Sequence, residues 1–206
     1  MKTEKHNKKK EQGAETKKRL YESAEQLFIK YNYTDVSVEA ITEAAGVTKG
    51  TFYVHYDSKD ELYISLFADY ASRMDAEYKA FFKNLPSDMS ASDVLLAVVE
   101  KIVDVNICTV GYDRMKTFYT LQLTRVVSTE SVNGSDRELY TIIEELLDRG
   151  IKRGEFKKSL SSHTLTKQVV MAIRGLTYEW CIRYPDFNFK EEILQYFKLL
   201  LDGIRA

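Results

Sequence analysis

The stretch AGVTKGTFYVHY, residues 45–56, concentrates side chains able to do chemistry. Thr48 and Thr51 offer hydroxyls, Lys49 a cation, Tyr53 a phenol and His55 an imidazole. Each can donate a hydrogen bond to a phosphate oxygen or to a base edge. Catalysis has less to draw on. The chain holds three histidines and shows no Ser/His/Asp set, no phosphate loop and no metal-ligand spacing. No enzyme activity, no cofactor and no metal site are therefore expected. His163 reads as a surface residue at a helix start.

Polar groups that face a partner must be held by apolar groups that face a core. In VSVEAITEAAG, Ser37 can cap a short helix that turns Val38, Ile41 and Ala45 inward, and Gly46 can end it. Thr48 can cap a second short helix reaching about Val54, with Val47 and Phe52 packed on Val38 and Ile41. Two short helices joined by a tight glycine turn make a helix-turn-helix. Thr48, Lys49 and Thr51 then stay outward. Gly50 inside so short a helix costs about 1 kcal/mol relative to alanine. The return is either close approach to DNA or tight packing against the next helix. Tyr56 reads as core. Lys59, in the first turn of the following helix, opposes the macrodipole, and a phosphate held there by free N–H groups would resolve that. The alternative is a solvated lysine.

The frame around these residues is helical. Leu20, Ala24, Leu27, Phe28 and Tyr31 recur at spacings of three and four. Thr16 is the expected cap of that helix, and Asn32 its left-handed end. Ser58 and Glu61 have capping-box spacing at the start of a long helix. Further helices are expected at 92–108, 112–129, 136–153, 163–184 and 189–204, with no strand-like alternation. The class is all-α: a small unit of three helices, then a larger helical body. Net charge is −1, so bulk charge does not announce a nucleic-acid binder. Before residue 21, however, eight Lys or Arg stand against three Glu. Such an arm is either an electrostatic footprint for DNA or a solvated tail.

The run YTDVSVEAITEAAGVTKGTFYVHYDSKDELY resembles the DNA-binding signature of the tetracycline-repressor (TetR) family of bacterial regulators. The resemblance covers about residues 16–62. Asn32 stands where the family often has glycine, and Thr42 where alanine is usual; the added hydroxyl would loosen the helix crossing slightly. The resemblance implies three parts: a disordered basic arm over 1–15, a three-helix helix-turn-helix DNA-binding domain over 16–62, and a helical ligand-binding and dimerisation domain over 63–206. It implies a homodimer on a palindromic double-stranded operator, most simply a repressor, released by a small molecule. Carried over, Thr48, Lys49, Gly50, Thr51 and Tyr53 would meet bases or nearby phosphates. His55, Lys59 and Ser37 would hold backbone.

In the larger part, Ile193, Phe197, Leu200 and Ile204 form a stripe, and helix 163–184 carries Ile173 and Trp180. Two such helices per subunit could build a four-helix interface, or could face their own core. Tyr70, Tyr112, Phe118 and Tyr178 could line a pocket for an apolar or aromatic effector. Arg125 and Arg174 lie in otherwise apolar stretches. A buried arginine needs an anion, either an internal carboxylate or one on the ligand. Cys108 and Cys181 imply no disulfide framework, and both read as small buried hydrophobes, with a redox switch as the alternative. No membrane span and no secretory leader are expected, so the compartment is the cytoplasm. Two competing functions remain: an enzyme of helical fold, and an interaction module that keeps an unused helix-turn-helix.

Overall fold

The computed structural model describes residues 2–134, 137–159 and 161–206, with side chains from Lys10 onward. The elements are α1 (Lys2–Lys30), α2 (Val38–Ala45), α3 (Lys49–His55), α4 (Lys59–Lys83), α5 (Ala91–Val105), α6 (Tyr112–Thr124), α7 (Glu130–Asn133), α8 (Glu138–Lys152), α9 (Ser162–Arg183) and α10 (Phe189–Ile204). The expected start of a helix at residue 136 lies outside the described residues. Two compact units result: residues up to Asp69 with Thr120–Thr129, and Tyr70–Tyr119 with Glu130–Ala206.

In the first unit, Leu20, Ala24 and Phe28 of α1 are buried with Ile41 and Ala45 of α2, Phe52 of α3, and Leu62 and Tyr63 of α4. Spacings of three and four put each set on one helix face. Tyr31, expected on the α1 stripe, is half exposed instead. Two expectations about the ends of α1 also change. Thr16 is no cap, because the helix runs back through the expected disordered arm to Lys2. Its hydroxyl donates to the Gln12 carbonyl at 2.8 Å, a bond made inside a helix. Asn32 is extended rather than left-handed and starts a short 3₁₀ turn, Tyr33–Asp35.

The second unit is built on α5, whose Val94, Leu95, Val98, Val99 and Ile102 are buried. Helix α8 packs on α5 and α9, and α10 packs on α5 and α9. Gly150 allows a close approach: a Cβ there would meet the Phe156 ring at 2.4 Å and the Ala91 Cβ at 2.8 Å. Helix α5 does not run to residue 108. It passes into a π-helical turn, Asn106–Val110, which Gly111 closes. Asp75 of α4 and Arg137 form a bidentate pair with little exposure on either side chain, and Arg137 also donates to the Val132 carbonyl at 3.0 Å. Lys190 of α10 bridges Glu100 at 2.9 Å and Asp104 at 2.8 Å on α5. Among the described residues no helix is long and apolar enough to cross a membrane.

Candidate nucleic-acid interface

Capping fixes α2 and α3 locally. Ser37 accepts the Ala40 N–H at 3.1 Å. Gly46 ends α2 in the left-handed region at φ 64°, and the Val47 N–H returns to the Thr42 carbonyl at 2.9 Å. That conformation suits glycine, which has no Cβ to clash. One residue further on, Thr48 caps α3, accepting the Thr51 N–H at 3.2 Å and sharing a hydrogen bond with the Thr51 hydroxyl at 2.9 Å. The Thr42 hydroxyl is buried but donates to the Glu39 carbonyl at 2.9 Å. The extra polar group is thus satisfied within α2.

Helix α3 is anchored on one side only. Phe52 is fully buried, and Tyr56, which closes the helix, is buried against it at 5.8 Å between ring centroids. Thr48, Lys49 and Gly50 are exposed, Tyr53 is 49% exposed and Val54 78%. Thr51 and His55 are half buried. A Cβ on Gly50 would meet only the Thr48 hydroxyl, at 3.8 Å, which is ordinary contact. Packing inside the protomer therefore does not require this glycine.

Two polar partners escaped the sequence reading. The Lys49 ammonium pairs with the Glu39 carboxylate of α2. That hydrogen bond holds the Glu39 carboxyl below the usual carboxylate range and raises Lys49. A ten-residue separation across a turn gives no periodic signal by which to find it. Lys59 differs more sharply. Its ammonium donates to the carbonyls of Tyr33 and Val36, each at 2.8 Å, and sits 4.0 Å from the centroid of the Tyr33 ring. Burial lowers its pKa. The expected phosphate clamp is thus already engaged in tying the turn before Ser37 to the start of α4. Tyr33 completes the tie: its hydroxyl donates to Asp60, and its ring packs between Phe28 and Tyr63 at 5.7 and 4.9 Å. Half of the expected capping box forms as expected, with Ser58 accepting the Glu61 N–H at 3.0 Å; the Glu61 carboxylate reaches one residue further back and accepts the Asp57 N–H at 2.6 Å.

The six pocket candidates do not gather into one site. Phe118 is buried beside Tyr119. Tyr119 donates to the Arg174 carbonyl at 3.0 Å and packs on Tyr178 at 5.7 Å. Burial raises the Tyr119 phenol well above its ordinary value. Tyr112 belongs to a second aromatic group, stacked on Tyr184 at 4.0 Å and edge-on to Trp180. Tyr70 donates to the Thr109 carbonyl at 2.8 Å. Arg125 is neither buried nor helical: α6 ends at Thr124, and Arg125 lies exposed at φ 53° within the first unit. Arg174 is half buried but serves a carbonyl, that of Asn133 at 3.2 Å, and the Tyr140 ring at 5.7 Å. Neither arginine meets a carboxylate among the described residues. Cys181 is buried, whereas Cys108 is exposed, not a buried hydrophobe.

The interface candidates also turn inward. Ile173, Trp180, Ile193, Phe197 and Ile204 are buried within the protomer, and Leu200 is half buried. The apolar side chains left outside are Met171, Tyr178 and Ile182 on α9, and Tyr196 and Leu199 on α10.

A short capped helix, anchored on one side and polar on the other, defines a helix-turn-helix DNA-binding module. Residues 20–66 match the family described as "Bacterial regulatory proteins, tetR family". The HTH-type transcriptional regulator AcrR of Shigella flexneri is 24% identical over 205 residues, covering 95% of this chain and 92% of the relative. A TetR-family transcriptional regulator from Pectobacterium atrosepticum shares the fold, with TM-score 0.76 at 16% identity over 95% of this chain and 96% of that one. The regulator FadR of Bacillus subtilis, solved with stearoyl-CoA, gives TM-score 0.68 at 20% identity over 90% and 98%. Residues 20–66 thus match the DNA-binding region of tetR-family regulators, and the chain as a whole is similar to HTH-type transcriptional regulators in sequence and shares their fold. Its named relatives are regulators rather than enzymes.

Proposed function

We propose that the chain acts in the cytoplasm, without a catalytic step, as a ligand-responsive repressor that binds a palindromic operator as a homodimer. The observation that carries this is the asymmetry of α3: Phe52 is its one buried residue, with Tyr56 buried just beyond, while Thr48, Lys49, Gly50 and Tyr53 are exposed around them. These four residues, with Thr51, would enter the major groove; Ser37 and His55 would hold adjacent phosphates. A helix this short reads few bases, so two copies on two half-sites are needed for useful specificity.

The second copy would dock on the exposed apolar face of α9 and α10. Met171, Gly175, Tyr178 and Ile182 follow one another at four, three and four residues, which places them on one side of α9. Tyr196 and Leu199 extend the same kind of surface on α10. An effector of apolar or aromatic character would enter the second unit near Phe118, Tyr119, Arg174 and Tyr178. The stearoyl-CoA held by the Bacillus subtilis FadR supports a small-molecule effector here.

Selection from random DNA should recover a palindrome. On that site Lys49→Ala should weaken binding roughly tenfold while scarcely changing retention of unrelated duplex. Equal operator retention by wild type and variant in a gel shift would remove α3 as the reading element.

A further inference from the structure

We infer that Arg174 anchors the effector by its anionic end, a carboxylate carried on an apolar body. This deepens the effector reading above and rests on it. The sequence leaves two anions open for this guanidinium, one from the protein and one from a ligand. Among the described residues no carboxylate reaches it, and its side chain makes one hydrogen bond, from Nη2 to the Asn133 carbonyl at 3.2 Å. The other N–H groups of its fork take no partner among the described residues. Arg137, in the same unit, shows a guanidinium that is satisfied: both oxygens of Asp75 and the Val132 carbonyl hold it. Arg174 is half buried as well, so it gives up hydration without gaining a counter-charge. A ligand carboxylate would supply that charge, accepting two parallel hydrogen bonds from the fork.

The surroundings describe the rest of the ligand. On α9 the buried stripe runs through Val170, Ile173, Thr177 and Cys181, and an exposed one through Met171, Tyr178 and Ile182. Arg174 stands four residues after Val170 and four before Tyr178, at the edge between the two stripes. Its guanidinium lies 5.7 Å from the centroid of the Tyr140 ring on α8. Tyr119 borders the same turn of α9: its hydroxyl donates to the Arg174 carbonyl at 3.0 Å, and its ring packs on Tyr178 at 5.7 Å. The Tyr140 and Tyr178 hydroxyls make no hydrogen bond among the described residues, so both remain donors for an anion. A cation at the rim of a core, bordered by tyrosine rings, suits a molecule with a charged head and an apolar body.

The test is titration calorimetry on the full chain with two pairs of an acid and its amide: octanoate with octanamide, and 2-naphthoate with 2-naphthamide. In at least one pair the acid should bind roughly tenfold more tightly than the amide. Arg174→Gln should abolish that preference and leave amide affinity unchanged, and Arg174→Lys should restore part of it. Arg149→Gln is the control. Arg149 also meets no carboxylate among the described residues, but it lies nine residues beyond Tyr140 on α8, about 14 Å along the axis. Its loss should change neither affinity. Equal affinity for acid and amide in the wild type would overturn the inference, however the variants fold, and so would binding of neither pair. A preference that survives Arg174→Gln, or that falls as far in Arg149→Gln, would overturn it too. The effector reading is judged separately by gel shift: an acid that binds through Arg174 yet leaves the operator complex intact would keep the carboxylate site and sink that reading.

Discussion

Helices α3 and α10 are both amphipathic, yet their apolar and polar sides play opposite parts. In α3 one aromatic, Phe52, holds the helix while its polar residues stay outside. In α10 the dominant stripe, Ile193, Phe197, Leu201 and Ile204, is buried in its own protomer, and the outward apolar residues lie off it, at Tyr196 and Leu199. Period identifies a face that will be buried; it does not say against what. A stripe read as an interface is more economically a core. On the dimer reading proposed above, the docking surface would instead be marked by the large apolar residues that the core stripe leaves over.

The largest expected effect follows from that contrast. Phe197→Ala, which empties a fully buried position, should cost about 3–5 kcal/mol of stability by denaturant titration. Leu199→Glu, at a site 66% exposed, should leave stability within about 0.5 kcal/mol. It should instead turn a dimer into a monomer by sedimentation. Were Phe197→Ala to dissociate subunits without loss of stability, the two faces of α10 would have been assigned the wrong way round.

Why one half was legible and the other was not has a physical cause. The helix-turn-helix is set by local rules: Ser37 and Thr48 cap, Gly46 takes a left-handed turn, and each acts within a few residues. Such signals survive in a one-dimensional reading. The second unit depends on tertiary pairings between distant positions, such as Asp75 with Arg137 or Lys190 with Asp104. The first unit holds two misses of its own. The apolar neighbours of Arg125 suggested burial, but α6 stops at Thr124 and leaves it outside. Long-range contacts explain the other. Nothing near Lys59 in sequence points to the carbonyls of Tyr33 and Val36.

Lys59 sharpens the comparison, because it is a cation next to the helix-turn-helix that serves the fold. Lys59→Met should lose two hydrogen bonds from a charged donor and destabilise the protein by about 1–2 kcal/mol, reduced from a fully buried value by partial exposure. Operator affinity should fall, since the turn preceding Ser37 loosens, while the salt slope stays that of the wild type. A slope lower by about 0.9 would instead show that the ammonium leaves its carbonyls for a phosphate. Lys59→Arg, which keeps the charge but not the compact ammonium geometry, should restore little of the stability.

The smallest effect tests the α3 side most directly. Gly50 is helical, and the nearest atom to a Cβ placed on it is the Thr48 hydroxyl at 3.8 Å. Alanine there meets no clash and relieves the entropy cost of glycine, so Gly50→Ala should raise stability by about 0.5–1 kcal/mol. If the glycine exists to let the α3 backbone approach a duplex, the same substitution should weaken operator binding. Stability and binding would then move in opposite directions, which a packing role in the protomer cannot produce. Thermal melts paired with a gel shift read both quantities on one preparation. Binding that rises or holds steady with stability would mean that α3 meets its partner through side chains alone, with the backbone at Gly50 standing off from the groove.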